Sequence, residues 1–192
     1  MTRPGGERAA WLRALPSLTG TAPAGGAEAP PREPEPLFVR WLEAAVGAGV
    51  AEPHAATLAT VGEDGVPDAR TLILKDVGRR GWAVAGRRSS RKGLQLAADP
   101  VAALNFWWPS QMRAVRVRGA VTEATAEDSA ADFASRASGA REGVADADWV
   151  LWRIAPSRVE FWQGARDRRH VRMVYERGSG GWNPPVLEEE AR

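Results

Sequence analysis

The sequence predicts a mainly β protein, a β-barrel with helices packed outside it. About seven or eight short segments have strand character, and only two or three have helical periodicity. The strands that begin near residue 55 follow one another through short turns, which is typical of a meander within a barrel. The 192 residues contain no internal repeat and no sign of a second domain. We therefore expect one barrel domain with flanking helices.

Composition excludes several classes of protein. The chain has no cysteine, which rules out disulfides, thiolate metal sites and cysteine nucleophiles, and its two histidines leave little for a metal cluster. The net charge is only +2 because arginines and acids are interleaved, so nucleic acid is not indicated as a partner. No apolar run is long enough to cross a bilayer, and no signal peptide is evident. We expect a cytoplasmic protein without a membrane partner.

The two ends of the chain differ in composition from its middle. Residues 1–35 are rich in proline, glycine and alanine, so we expect a flexible N-terminal arm with at most a short helix near residues 9–15. The ordered domain is expected over residues 36–183. Residues 184–192 form an acidic tail that we expect to fray.

The first half of the domain begins with a helix from Pro36 that is closed by Gly47 and Gly49. Strands are then expected over residues 55–60, 67–76 and 82–86. In the second of these, alternation places Arg70, Leu72 and Leu74 on one face, with Thr71, Ile73 and Lys75 on the other.

The second half combines two helices with further strands. Ser90 caps a helix that ends at Asp99 and Pro100, and Thr125 caps a helix that reaches residue 135. A loop of small residues is expected over residues 138–148. The remaining strands are expected over residues 101–108, 114–121, 149–156, 158–162 and 168–177. Alternation in the last strand would place Arg168, His170 and Arg172 on one face.

The stretch from Thr57 to Gly93 carries the first functional signal. It contains both lysines of the chain, Lys75 and Lys92, among 26 basic residues. Two lysines in an arginine-rich chain suggest positions where a point charge is needed, although chance drift would give the same pattern.

The helix after Ser90 carries the second signal. Free backbone N–H groups at a helix start attract anions, and Arg91 and Lys92 add positive charge there, which predicts a phosphate site. The alternative is an ordinary basic first turn facing solvent, but cations are unfavourable at a helix N-terminus.

The available chemistry points to a bound organic cofactor. Cationic side chains group as Arg70 with Lys75, Arg91 with Lys92, and Arg168 with His170 and Arg172, and would suit a small ligand carrying phosphate. No nucleophile with a base, metal cage or paired carboxylate motif is recognisable, and neither a P-loop nor a GxGxxG motif is present. An enzyme of this kind needs a cofactor that performs the reaction itself.

Three segments carry a family resemblance: ATLATVGEDGVPDARTLILKDV, SSRKGLQLAADPVAALNFWWP and RVEFWQGARDRRHVRMVYER. In this order they resemble the pyridoxamine 5'-phosphate oxidase family of FMN-binding split-barrel proteins, over about residues 37–182. The resemblance implies a split β-barrel homodimer with one FMN at each end of the subunit interface. It also implies oxidation of a substrate C–N or C–O bond, with hydride transfer to flavin N5 and molecular oxygen as the acceptor.

The resemblance also implies roles for individual residues. Arg168 and His170 would be catalytic and would grip the substrate over the flavin. Lys75 and Arg136 would contact the substrate phosphate. FMN would be bound by Arg70, Thr71, Leu72, Ile73, Leu74, Lys75, Arg91, Lys92, Trp162 and Arg172.

Departures from the family pattern affect the substrate pocket more than the cofactor pocket. Asp132 and Ala140 stand where the family has a tyrosine and a serine, and Asp132 would repel a phosphate dianion. Ala85 and Gly86 replace an aromatic–hydroxyl pair. A helical segment that normally precedes Trp149 is missing. FMN binding is therefore more strongly indicated than vitamin B6 chemistry.

Two alternatives stay open at this point. The segment PSLTG near the N-terminus is similar to phenazine-biosynthesis oxidases of the same superfamily, which act on phosphate-free tricyclic intermediates. The chain could thus be an oxidase of a phosphate-free aromatic intermediate. It could also be a flavin- or deazaflavin-binding protein without catalytic activity.

Overall fold

The computed structural model describes residues 5–23 and 29–189, and its mainly β architecture confirms the expected fold class. A curled ten-stranded sheet forms the barrel, and helices flank it. The helices are α1 (Gly5–Ala14), α2 (Pro34–Gly47), α3 (Arg91–Ala98), α4 (Ala126–Ala134) and α5 (Ser138–Arg141). The strands are β1 (Ala55–Val61), β2 (Pro67–Ile73), β3 (Asp76–Gly78), β4 (Gly81–Arg87), β5 (Val101–Trp108), β6 (Arg113–Glu123), β7 (Trp149–Gln163), β8 (Val171–Gly178), β9 (Gly181–Trp182) and β10 (Val186–Glu189).

The sheet order corrects the expected meander. The main path runs β10-β8-β7-β6-β5-β1-β2, and β3 and β9 are short additions to β4 and β8. β1 pairs with β2 as expected, but β4 pairs with β7, with Trp82 opposite Ile154 and Arg87 opposite Trp149. The prediction was wrong because local turns fix which strands follow one another, whereas β7 enters the sheet from far along the chain.

The core is aromatic and is centred on α2. Phe38 is fully buried and its ring packs against Trp82, Phe106 and Trp108 at centroid distances of 4.9 to 6.3 Å. Apolar residues of α2 thus form part of the core of the curled sheet. Four of the nine tryptophans are buried: Trp82, Trp108, Trp149 and Trp152.

Two strand boundaries differ from the expectation. β2 ends at Ile73, so the alternation does not extend to Lys75, which lies in the link to β3 and donates its backbone N–H to Ala83. Residues 149–163 form one continuous strand rather than two. A bulge between Arg118 and Gly119 of β6 accommodates the irregularity, and a Cβ on Gly119 would lie 1.9 Å from the Ala155 carbonyl oxygen.

The end of the chain also differs. β8 begins at Val171, so Arg168 and His170 lie in the preceding loop and do not share a strand face with Arg172. Residues 186–189, expected to fray, form β10 and pair with β8. Residues 190–192 lie outside the described residues.

The described part of the N-terminal arm contacts the barrel. Thr21 donates its backbone N–H to Ser110 at 2.8 Å, and Arg166 donates to the carbonyls of Thr19 and Gly20. Residues 1–4 and 24–28 lie outside the described residues, and the flexibility of the arm remains a prediction. Among the residues that are described, no helix has the length and apolar character needed to span a membrane.

Candidate functional site

The first turn of α3 carries the predicted phosphate site. Ser90 is the N-cap, and its Oγ accepts from Gly93 N–H at 3.4 Å, as the sequence predicted. The Lys92 ammonium folds back and donates to the same Oγ at 3.1 Å. Lys92 is therefore held beside the helix start instead of extending into solvent.

Gly86 of β4 makes room for the Lys92 side chain. A Cβ at Gly86 would lie 2.5 Å from the Lys92 Nζ, and the ammonium lies 5.9 Å from the centre of the Trp152 ring. The resemblance to the family predicts a larger residue than glycine at position 86. Glycine here lets the ammonium lie against the end of β4.

Arg70 of β2 lies near Lys92 and is hydrogen-bonded to two buried polar side chains, Thr60 of β1 and Gln95 of α3. Its guanidinium donates to Thr60 Oγ1 at 2.5 Å and to Gln95 Oε1 at 3.0 Å, and it lies 3.1 Å from the Asp68 carboxylate. Asp68 also pairs with Arg91 at 3.0 Å. We call Arg70, Arg91 and Lys92 the α3 cluster; three cations against one carboxylate leave it with a net charge of about 2+.

Electrostatics favour an anion at the α3 cluster. Burial and, next, the nearby Arg70 guanidinium lower the pKa of the Lys92 ammonium from its ordinary value of 10.5. The Lys92 cation is therefore disfavoured by its surroundings unless an anion is bound. For Asp68, desolvation raises the pKa, but hydrogen bonds from Gln95 and Ala69 and the charges of Arg70 and Arg91 lower it overall. These residues fit the phosphate group of FMN.

Sequence reasoning missed Thr60, Asp68 and Gln95. Thr60 could have been found, because it continues the inward-facing series of Ala56 and Leu58 along β1 and is only 2% exposed. Gln95 is buried on α3 while its apolar neighbour Leu94 is 63% exposed. Hydrophobic periodicity assigns leucine rather than glutamine to the buried face of a helix, so it could not predict that Gln95 is buried and Leu94 is exposed.

A second group, the aromatic cluster, lies at the far end of β7. The Trp162 ring lies 6.0 Å from Trp107 and 5.0 Å from His170. His170 Nδ1 accepts from Ala165 N–H at 3.0 Å, so a neutral His170 carries its proton on Nε2. Trp107, which the sequence analysis did not select, is 47% exposed.

Two predicted residues lie beside the aromatic cluster. Arg168 is exposed and adopts a left-handed backbone with φ of 67°, which is uncommon for a residue other than glycine. Arg172 of β8 lies 2.9 Å from the buried Glu160 carboxylate, which also pairs with Arg116 and Arg158. Arg172 is thus part of an ion-pair network on the outer face of the sheet.

A third group, the α4 cluster, consists of Lys75, Asp132, Arg136 and Trp149. Asp132 Oδ2 accepts from Trp149 Nε1 at 2.8 Å, and its Oδ1 lies 4.0 Å from the Lys75 ammonium. The Arg136 guanidinium stacks over the Trp149 ring at 4.1 Å. The structure therefore brings the two predicted substrate cations, Lys75 and Arg136, to one place.

The aromatic and α4 clusters are far apart within one chain. Trp149 and Trp162 lie near opposite ends of β7, a 15-residue strand that rises about 3.3 Å per residue, or ~45 Å along its length. The open outer face of the sheet between them is lined by small and charged residues, including Ala59, Ala103 and Arg116.

Comparison with known proteins identifies the family. The family model described as pyridoxamine 5'-phosphate oxidase matches residues 42–163. A second model, described as the pyridoxine 5'-phosphate oxidase C-terminal dimerisation region, matches residues 149–187. The second match supports a homodimer.

Curated relatives agree with these matches. A pyridoxine/pyridoxamine 5'-phosphate oxidase of Thermosynechococcus vestitus is 38% identical over 181 residues, covering 78% of this chain and 86% of the relative. The corresponding oxidase of Burkholderia multivorans is 37% identical over 185 residues, with coverage of 78% and 86%.

Two solved structures have a fold similar to that of this chain. PhzG from Burkholderia lata, solved in complex with tetrahydrophenazine-1-carboxylic acid, superimposes with a TM-score of 0.80 at 25% identity, covering 89% of this chain and 100% of PhzG. A pyridoxamine 5'-phosphate oxidase-related, FMN-binding protein from Nostoc punctiforme has a TM-score of 0.67 at 18% identity, covers 88% of this chain and 100% of its own, and shows the fold alone. Since one family model spans well over half of the chain and the curated relatives exceed one-third identity, the chain belongs to the pyridoxamine 5'-phosphate oxidase family.

Proposed function

We propose that this oxidoreductase of the pyridoxamine 5'-phosphate oxidase type is a homodimer that binds FMN and uses molecular oxygen as its acceptor. The observation that carries the proposal is the α3 cluster. Its net charge of about 2+ matches a phosphate monoester, and its Lys92 ammonium has a pKa lowered by burial and by Arg70. The partly buried Arg70 and Lys92 share the single carboxylate of Asp68 with Arg91, so a bound phosphate would supply the negative charge that the cluster lacks.

The residues proposed to hold FMN belong to the strands β2, β7 and β8, the link after β2, and the helix α3. Arg70, Arg91 and Lys92 would bind its phosphate, with the Ser90-capped start of α3 adding backbone N–H groups. Residues 71–75, with Trp162 and Arg172, are proposed to lie along the rest of the cofactor. Bound FMN would supply the redox chemistry, accepting a hydride at N5 and passing the electrons to oxygen to give hydrogen peroxide.

The remaining residues of the proposed site act on the substrate. His170 is held by its bond from Ala165 N–H, so its Nε2 proton is directed away from that bond and can be donated to a substrate oxygen or nitrogen. Arg168 provides an exposed guanidinium from the same loop for anionic groups of the substrate. The two residues are proposed as the catalytic pair that orients substrate next to Trp162.

Two classes of substrate are candidates. Pyridoxamine and pyridoxine 5'-phosphates are one class, because the curated relatives carry that name. An aromatic intermediate without phosphate is the other, supported by the Asp132 contacts and by the PhzG structure.

The absorption spectrum of the purified protein tests the proposal directly. We expect a yellow protein with flavin absorbance, or a colourless one that takes up added FMN in a fluorescence titration. Failure to bind FMN would contradict the proposal. If flavin binds and reduced substrate candidates yield no peroxide, the protein is instead a flavin-binding protein without oxidase activity.

The variant Arg168→Gly tests the role of the Arg168 side chain without straining the backbone. Glycine adopts the left-handed φ of 67° without strain, so the variant removes the whole arginine side chain and adds no backbone strain. We expect kcat/KM to fall by at least about tenfold, the usual effect of losing a charged hydrogen bond, with flavin content unchanged. Arg177→Ala, which removes the same charge beside Trp182, is the control. Unaltered turnover in Arg168→Gly would remove Arg168 from the proposed catalytic pair.

A further inference from the structure

The α4 cluster contains its own anion. Lys75 and Arg136 would together present two positive charges to a ligand, but the Asp132 carboxylate lies beside Lys75 and shares Trp149 with Arg136. The Asp132 side chain is only 10% exposed and that of Lys75 is 28% exposed, so water screens the pair less than it would at an open surface.

Asp132 is fixed in this position. Its Oδ2 accepts the indole N–H of Trp149, which is itself 8% exposed, and this bond directs Oδ1 toward Lys75. Trp149 is held in turn by the stacked Arg136 guanidinium on one side and by Phe133, at 5.7 Å between ring centres. The carboxylate is therefore a built part of the cluster and not a side chain that would swing away when a ligand arrives.

The charges decide which ligand the cluster accepts. Two cations and one carboxylate leave about one net positive charge, which suits a neutral group or a monoanion such as a carboxylate. A phosphate monoester carries close to two negative charges near neutral pH and would meet the Asp132 carboxylate at short range. Arg136 Nε is buried and, among the described residues, has no hydrogen-bond partner, so the cluster keeps a donor for a ligand.

We infer that Asp132 is a specificity-determining residue that excludes phosphate monoesters from the α4 cluster, so that this chain acts on a substrate with at most one negative charge there. The inference rests on the proposed function, because it names the substrate class of the proposed oxidase. It concerns binding at Lys75 and Arg136, and its test does not require turnover.

Asp132→Asn is the variant that tests this inference. Asparagine keeps an oxygen acceptor for Trp149 Nε1–H and removes only the negative charge. Pyridoxine 5'-phosphate and pyridoxine are the probes, since they differ only in the phosphate. Their dissociation constants are measured by calorimetry under anaerobic conditions, so that oxidation does not interfere.

We expect the unchanged protein to bind the two probes within about threefold of each other. In Asp132→Asn we expect pyridoxine 5'-phosphate to bind about tenfold more tightly, because the repulsion between the carboxylate and the phosphate, partly screened by solvent, is removed. The affinity for pyridoxine should stay the same. Asp128→Asn is the matched control. It lies one turn earlier on α4, pairs with Arg80 and Arg153, and should change neither affinity.

Three results would overturn the inference. One is a preference of ten times or more for pyridoxine 5'-phosphate in the unchanged protein, a result that needs no variant to fold. Another is a folded Asp132→Asn variant with the affinity of the unchanged protein for the phosphate probe. The third is an equal gain in Asp128→Asn, which would make the effect one of general charge. Flavin content, read from the same samples, reports separately on the proposed function.

Discussion

Lys92→Ala is expected to weaken FMN binding by about thirtyfold, equivalent to about 2 kcal/mol, the usual loss for a hydrogen bond between charged groups. The Lys92 ammonium is half-buried against Gly86, and burial and Arg70 lower its pKa. A phosphate bound there would gain a charge-assisted hydrogen bond in partly desolvated surroundings. Fluorescence titration of the apoprotein with FMN measures the change.

Two variants serve as controls for this prediction. Arg79→Ala removes one positive charge at an exposed position that does not belong to the α3 cluster and should leave FMN affinity unchanged. Lys92→Arg keeps the positive charge but replaces the compact ammonium with a planar guanidinium. Its FMN affinity should therefore lie between those of the unchanged protein and Lys92→Ala. An FMN affinity in Lys92→Ala equal to that of the unchanged protein would contradict the proposed phosphate site.

The same site predicts a pH dependence. Because the pKa of Lys92 in the folded chain lies below 10.5, the ammonium loses its proton at a lower pH than an exposed lysine would. FMN affinity should therefore fall as pH rises through this lowered pKa, and the fall should begin below pH 10.5. In the absence of FMN the sign is opposite, since stability rises with pH between the folded and unfolded pKa values. Lys92→Arg should lack both effects, because arginine stays charged over this range.

Phe38→Ala is expected to lower the free energy of unfolding by about 3–5 kcal/mol, the usual cost of truncating a buried phenylalanine. Phe38 has no exposed surface, and its ring contacts three aromatic side chains, one from β4 and two from β5. Its removal would leave a cavity that rigid neighbouring rings cannot fill. Denaturant unfolding followed by tryptophan fluorescence measures the loss.

Val46→Ala on the same helix is the control. Val46 is 61% exposed, so the substitution should change the free energy of unfolding by less than about 0.5 kcal/mol. Similar losses in the two variants would show that the core position of Phe38 does not determine the effect. A loss below about 1 kcal/mol in Phe38→Ala would contradict the assignment of Phe38 to the core of the barrel.

Local sequence signals predicted the elements that local physics governs. Ser90 and Thr125 were recognised as helix caps, and both accept the backbone N–H three residues later in the structure. The strands beginning at Ala55 and Val101 were found because each is a short, largely apolar run, the first followed by the turn signal GEDG and the second preceded by Asp99 and Pro100. The Lys92 phosphate site was inferred from the same kind of signal, a charged residue in the first turn of a capped helix, and remains a proposal.

Long-range contacts decided the rest. Which strand pairs with β4 depends on residues 149–154, and no turn signal near Trp82 encodes that partner. Arg168 and His170 were expected on a strand because their residue types alternate, but the hydrogen bond from Ala165 N–H to His170 holds them in a loop. Alternation records side-chain polarity and carries no information on where backbone pairing stops.

The sequence by itself determined the fold class, the capped basic helix and the family to which this chain belongs. Only the tertiary structure decided that Asp132, identified in the sequence as a departure, faces Lys75 and bonds Trp149, and that Thr60 and Gln95 join Arg70 in one polar group. The physical reason is that charge and hydrogen-bond complementarity act across space. They join residues on α4, β7 and the link before β3, whose separation along the chain hides their contact.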